Sequence, residues 1–140
     1  MEVRYSTTSN GSDFRSIREG SPGQKTAALL AFLFLYGDEP IILDQPEDDL
    51  DNQLIYNLIV TQLRKIKHNR QVIVVTHNAN IVVNGDAEYV VSLFVINGQT
   101  YKRCEGSLQK EKVRNEICDI MEGGRDAFKL RYRRITIGNE

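Results

Sequence analysis

Two short apolar runs, each ending on a polar residue and separated by an amphipathic stretch, limit what this chain can fold into more than any other feature. Ile41-Ile42-Leu43 stops at Asp44, and Val72-Ile73-Val74-Val75 stops at Thr76-His77. Continuous apolar runs of this length suit buried strands of a parallel sheet, whereas a half-wet strand alternates. Between them Leu54, Ile55, Leu58, Ile59, Leu63 and Ile66 recur at three- and four-residue steps, giving a helix over 52–67 one apolar face. Arg64, Lys65, Lys67 and His68 place positive charge at its C-terminal end, where the helix dipole favours it. Strand, helix and strand at this spacing predict a right-handed βαβ unit.

The flanking sequence extends this frame. Ser21-Pro22-Gly23 opens a second helix, with serine as N-cap and proline in the first turn, running over 24–36. Ala27, Ala28, Leu29, Leu30, Phe32, Leu33, Phe34 and Leu35 make it apolar on nearly every side, which predicts deep burial in a larger body. Gly37-Asp38-Glu39-Pro40 ends it. Upstream, residues 3–6 and 14–17 read as short strands around a Ser-, Thr-, Asn- and Gly-rich loop at 7–13. Downstream, a strand over 89–96 meets Asn97-Gly98, a strong hairpin signal, and 99–104 is the return strand. The expected sheet is therefore mostly parallel, with flanking helices and an antiparallel edge hairpin. A helical tail over 108–135 places Val113, Ile117, Ile120 and Met121 on one face and breaks at Gly123-Gly124.

The 140 residues amount to one domain, with a motif-bearing core at 19–93 and the hairpin and basic tail at 94–140. A net charge of −1 points to neither nucleic acid nor a membrane surface. The longest apolar stretch, 27–36, falls well short of the roughly 20 residues that span a bilayer. The N-terminal residues lack a signal-peptide core. Cys104 and Cys118 form no Cys-x-x-Cys pair and read as reduced thiols of a cytoplasmic protein, in which the glycosylation pattern Asn10-Gly11-Ser12 goes unused. In the tail, Arg125, Lys129, Arg131, Arg133 and Arg134 interleave with Phe128 and Tyr132. That pattern suits stacking and phosphate contact with nucleic acid, but an amphipathic helix that packs its aromatics and solvates its charges is the simpler reading.

Chemistry gathers at the ends of the buried elements. In open α/β sheets the ligand lies beyond the carboxyl ends of the strands, where Asp44 and His77 fall. The helix start at 21–24 offers free N–H groups and a positive dipole end to an anion. An acid, a histidine and an anion-binding helix start together suggest a phosphate and a divalent metal.

At these positions the chain resembles the ABC-type ATPases. Ser21-Pro22-Gly23-Gln24-Lys25 resembles their signature loop, with proline replacing the first glycine, and Ile41-Ile42-Leu43-Asp44 their Walker B strand. Asp48-Asp49-Leu50-Asp51 resembles their D-loop and Val74-Val75-Thr76-His77-Asn78 their H-loop. Each motif alone is common; the ordered set is specific. The strings 44–52 and 76–81 are also similar to the SMC-like ATPase part of TrlF-type bacterial proteins, where it accompanies a PHP phosphoesterase domain. The resemblance implies a P-loop NTPase-like α/β fold, ATP and Mg²⁺. Asp44 would hold the metal largely through water, as magnesium prefers oxygen ligands. His77 would contact the γ-phosphate or the attacking water. Ser21, Gly23, Gln24 and Lys25 would form the loop that reaches ATP held by a second copy in a head-to-tail dimer, and Asp51 would link the two sites.

The chain departs from the family pattern at two points. Gln45 follows the Walker B aspartate where glutamate is usual; an amide orients water but accepts no proton. Glu47 is a substitute base, offset by two residues. The larger departure is that no Gly-x-x-x-x-Gly-Lys-Ser/Thr occurs, since Lys25 of Gly23-Gln24-Lys25-Thr26 follows glutamine. The chain therefore resembles a C-terminal lobe whose P-loop comes from an N-terminal lobe of the same protein. It is expected to be inactive alone, with nucleotide-gated dimerisation at little turnover, or nucleic-acid binding, as the rival readings.

Overall fold

The computed structural model describes residues 4–6, 11 and 13–136; Val3, the loop at 7–10 and Ser12 lie outside the described residues. The chain divides into two compact units, Met1–Thr76 and His77–Glu140, so the motif-bearing stretch is shared between them.

In the first unit β1 (Arg4–Ser6) and β2 (Phe14–Ser16) pair as a short antiparallel ribbon, with Tyr5 opposite Arg15. A 3₁₀ turn, Ile17–Glu19, leads through Gly20 to α1 (Pro22–Leu35). β3 (Ile41–Asp44) and β4 (Val72–Val75) lie parallel and in register, Ile41 opposite Val72 and Asp44 opposite Val75. The helix between them, α2, begins as Asn52–Leu54 in α geometry, widens to a π segment at Ile55–Val60 and returns to α at Thr61–Ile66. The sequence predicts one uninterrupted α-helix here. The π segment brings Ile55, Ile59 and Val60 inward together, and the N–H of Thr61 bonds the carbonyl of Tyr56, five residues back. These residues, with Leu63 and Ile66 of α2, Leu30 and Phe34 of α1 and Leu43 of β3, are the buried apolar residues of the unit, and Ile59 is 0% exposed.

Burial corrects one expectation. The β3–β4 ladder is buried on one face only. Leu43 is buried there, with Ile41, Val72 and Val74 partly so, while Ile42, 70% exposed, shares the bare face with Ile73, Asp44 and Val75. Helix α1 likewise buries only Leu30 and Phe34 and leaves Leu29, Phe32, Leu33 and Leu35 exposed. Apolar runs declare that a surface is to be covered, but not that the cover lies within these residues.

In the second unit a single π-helical turn, Asn80–Asn84, precedes β5 (Val90–Ile96) and β6 (Gln99–Gly106). Asn97 and Gly98 both take positive φ, 51° and 76°, the geometry a two-residue hairpin turn requires. Among the described residues the hairpin forms its own two-stranded sheet rather than the expected edge of the parallel one. Its inner residues join α3 (Glu111–Met121) in a cluster of Val82, Cys104, Val113 and Ile117, flanked by Val90, Leu108 and Met121. Ile120, expected on the apolar face of the tail helix, is instead 51% exposed. After Gly123-Gly124, α4 (Arg125–Thr136) buries none of its residues, so Phe128 and Tyr132 are not packed as the amphipathic reading expects. Among the described residues no helix is long and apolar enough to cross a membrane.

Candidate functional site

The parallel register brings the carboxyl ends of β3 and β4 flush. Asp44 closes β3 opposite Val75, and Thr76 follows Val75. The carboxylate of Asp44 is exposed at the sheet edge where an α/β fold holds its ligand.

The segment after Asp44 turns sharply. Gln45 takes φ 46°, and its N–H donates to the Val75 carbonyl at 2.8 Å, extending the ladder by one bond. Two nested turns follow, with the Asp48 N–H on the Gln45 carbonyl at 3.1 Å and the Leu50 N–H on the Glu47 carbonyl at 3.0 Å. Asp49 lies inside the second of them at φ 65°. Left-handed backbone at two non-glycine residues in five is a cost the surrounding turns must hold in place. Asp51 then caps α2, its Oδ1 accepting from the Leu54 N–H at 2.8 Å.

Glu47 does not face solvent as Asp44 does. It is 5% exposed, and the Thr76 hydroxyl donates to its Oε1 at 2.5 Å. That length belongs to the charge-assisted hydroxyl–carboxylate range. The bond ties the turn after β3 to the end of β4, immediately before His77. His77 opens the second unit and is exposed.

The helix start at Ser21 is built as a complete capping box. Ser21 Oγ accepts from the Gln24 N–H at 3.3 Å, and the Ser21 N–H donates to Gln24 Oε1 at 3.0 Å. Tyr5, nineteen residues upstream on β1, donates its hydroxyl to the same Gln24 Oε1 at 2.9 Å. Gln24 is thus an internal strut of the loop, while Ser21 and Lys25 are exposed. The Gly23 N–H lies in the first turn, where helix geometry gives it no intrahelical partner. A Cβ at Gly23 would collide with the carbonyl oxygen of Asp49, so the loop at 21–24 rests directly on the turn after β3.

At the other end of α1, Arg70 donates to the carbonyls of Leu33 at 2.7 Å and of Tyr36 and Gly37 at 3.1 Å each. The sequence shows Arg70 only as part of a basic helix end and gives no signal for Tyr5.

The site's donors fit Mg²⁺–ATP. Among the described residues no three His, Cys, Asp or Glu side chains gather to hold a metal by themselves. Magnesium in nucleotide sites takes one or two carboxylates and completes its shell with phosphate and water, and Asp44 is one exposed carboxylate available for such a role.

No protein-family model matches the sequence, and no curated protein matches it. Solved structures do. An SMC ATPase structure from work on ATP-driven dimerization and DNA-stimulated activation is 23% identical with a TM-score of 0.63, over 83% of this chain and 71% of that one. An SMC head bound to the C-winged-helix domain of ScpA is 22% identical with a TM-score of 0.62, over 74% of this chain and 31% of that one. The fold is therefore a mixed α/β one similar to part of an SMC ATPase head.

Proposed function

We propose that this chain is the signature, Walker B, D-loop and H-loop half of an SMC-like ABC ATPase head, which hydrolyses ATP once a P-loop lobe completes it. The observation that carries the reading is the flush pair of strand ends, with Asp44 closing β3 opposite Val75 at the end of β4, in a fold like that of SMC heads. The finer likeness to TrlF-type proteins rests on the strings at 44–52 and 76–81.

Phosphoryl transfer to water needs little covalent help from protein; positioning and charge neutralisation dominate. Mg²⁺ bound with ATP supplies that charge neutralisation. Asp44 would hold it with one carboxylate. Gln45 orients the attacking water through its amide and accepts no proton. Glu47 is the substitute base, offset by two residues, and its bond to Thr76 ties the turn after β3 to the end of β4. Ser21 and the Gly23 N–H reach the γ-phosphate of ATP held by a second copy, with Gln24 and Lys25 in the same loop, and Asp51 links the two sites. The SMC ATPase similar to this chain dimerises with ATP and is stimulated by DNA. By that likeness the partner is a head-to-tail copy, and the basic, unburied α4 is the surface offered to nucleic acid. The setting is cytoplasmic.

Gln45 favours a second reading, in which ATP gates dimerisation and turnover is slow. Assays of the protein with its P-loop lobe decide between them. Asp44→Ala is expected to lower turnover at least ~100-fold, as loss of a metal ligand should. If Gln45→Glu raises turnover several-fold, hydrolysis is limited by the missing base, and the gating reading gains. Asp44→Ala with unchanged turnover, or turnover by the 140-residue chain alone, overturns the proposal.

A further inference from the structure

Two loops of the first unit meet with no room between them. The Gly23 α-carbon stands against the Asp49 carbonyl so closely that a Cβ there would collide with that oxygen, and Leu50 Cδ2 lies 3.9 Å from the same point. Asp49 aims its carbonyl there from a left-handed backbone, φ 65°, held by the turns on either side. Two residues on, Asp51 caps α2, so the turn is anchored downstream as well.

The helix that bears Gly23 is fastened at both ends. Its start is fixed by the capping box and by Tyr5 on Gln24, and its finish by the Arg70 bonds to three carbonyls. Tyr5 thus ties the start of α1 to β1, and Arg70 ties its end to the segment that enters β4. We infer that Gly23 and the Asp49 carbonyl form a seat that couples the loop at 21–24 to the loop at 45–51, making Asp49 a positioning residue for Asp51. This deepens the reading above, on which it rests for the nucleotide-facing roles of the two loops. A nucleotide that pulls Ser21 in one copy would move Asp51 of that same copy, and the reverse.

The test is amide exchange on the nucleotide-free 140-residue chain. Gly23→Ala forces the carbonyl aside, and the amides of Leu50 and Leu54 are expected to exchange about tenfold faster while those of Leu63 and Ile66 are unmoved. Asp49→Gly frees the backbone to swing the carbonyl away. The double variant is then expected to return to within about threefold of the wild type, a non-additivity that independent sites do not show. Should Gly23→Ala not fold, Asp49→Val probes the seat from the other side. A β-branched residue resists the left-handed conformation, and exchange should quicken about fivefold at Gln24 and Lys25. Additive effects, or changes confined to the substituted loop, overturn the inference. With no nucleotide present, that failure leaves the ATPase reading standing, whereas unchanged turnover in Asp44→Ala sinks the ATPase reading and leaves the seat.

Discussion

The two units expose apolar surface in different ways. In Met1–Thr76 the run from Leu29 to Leu35 on α1 holds no ionisable group, and Ile42, Ile73 and Val75 share one sheet face with Asp44. In His77–Glu140 the exposed apolar side chains of α4 alternate with charge, Phe128, Leu130 and Tyr132 with Lys129, Arg131 and Arg133, whereas Val91, Leu93, Val95 and Ile96 of β5 lie in an uncharged strand. A mixed surface of the second kind is compatible with water, but a smooth one of the first kind marks a place where another polypeptide belongs.

The sharpest way to break this contrast is to truncate the two faces of the first unit separately. Ile59→Ala, in the packed layer, is expected to cost about 2–5 kcal/mol in urea unfolding, as large-to-small core changes do. Ile42→Ala, on the bare face, is expected to cost under ~1 kcal/mol in the chain alone. Equal losses would mean that the face is covered after all. Of intermediate size, Arg70→Ala removes the bonds to Leu33, Tyr36 and Gly37 and is expected to cost roughly 1–2 kcal/mol by the same measurement. Arg70→Lys should not restore it, because one ammonium cannot serve three carbonyls in a fixed fork.

The smallest effect belongs to the second unit. On the hairpin the hydrogen bond from Lys102, at 2.6 Å, holds the Glu105 carboxyl below its ordinary range. A carboxyl lowered in the folded state stabilises above its unfolded value, near pH 4.3, and loses that contribution as the pH falls through the folded one. The hairpin should therefore loosen slightly below about pH 4, read by NMR shifts at Lys102, and Glu105→Gln should abolish that step. A larger acid transition in the first unit than in the hairpin would reverse the comparison.

Much of the fold could be read from the residues, because the βαβ unit, the Asn97-Gly98 turn and the Ser21 cap depend on neighbours close in sequence. What escaped depends on distance. The Tyr5 bond to Gln24 spans nineteen residues and the Arg70 bonds span 33 to 37, with no periodicity to announce either. The bare faces escaped for another reason, since an apolar pattern records that a side chain will be covered and not by which segment. At the site, Asp44 and the Ser21 cap were legible from their places at element ends. The burial of Glu47 was not, because it depends on Thr76 arriving from the next strand.

The wide turn in α2 has a bearing on how this segment tolerates change in length. Hydrogen bonding to the fifth residue instead of the fourth stores one surplus residue inside the helix, between the turn at 48–51 and the Leu63–Ile66 anchor. Excising a solvent-facing position such as Asn57 would let the ladder close to ordinary α spacing without tugging on Asp51. A length change elsewhere in the helix has no such slack to absorb it.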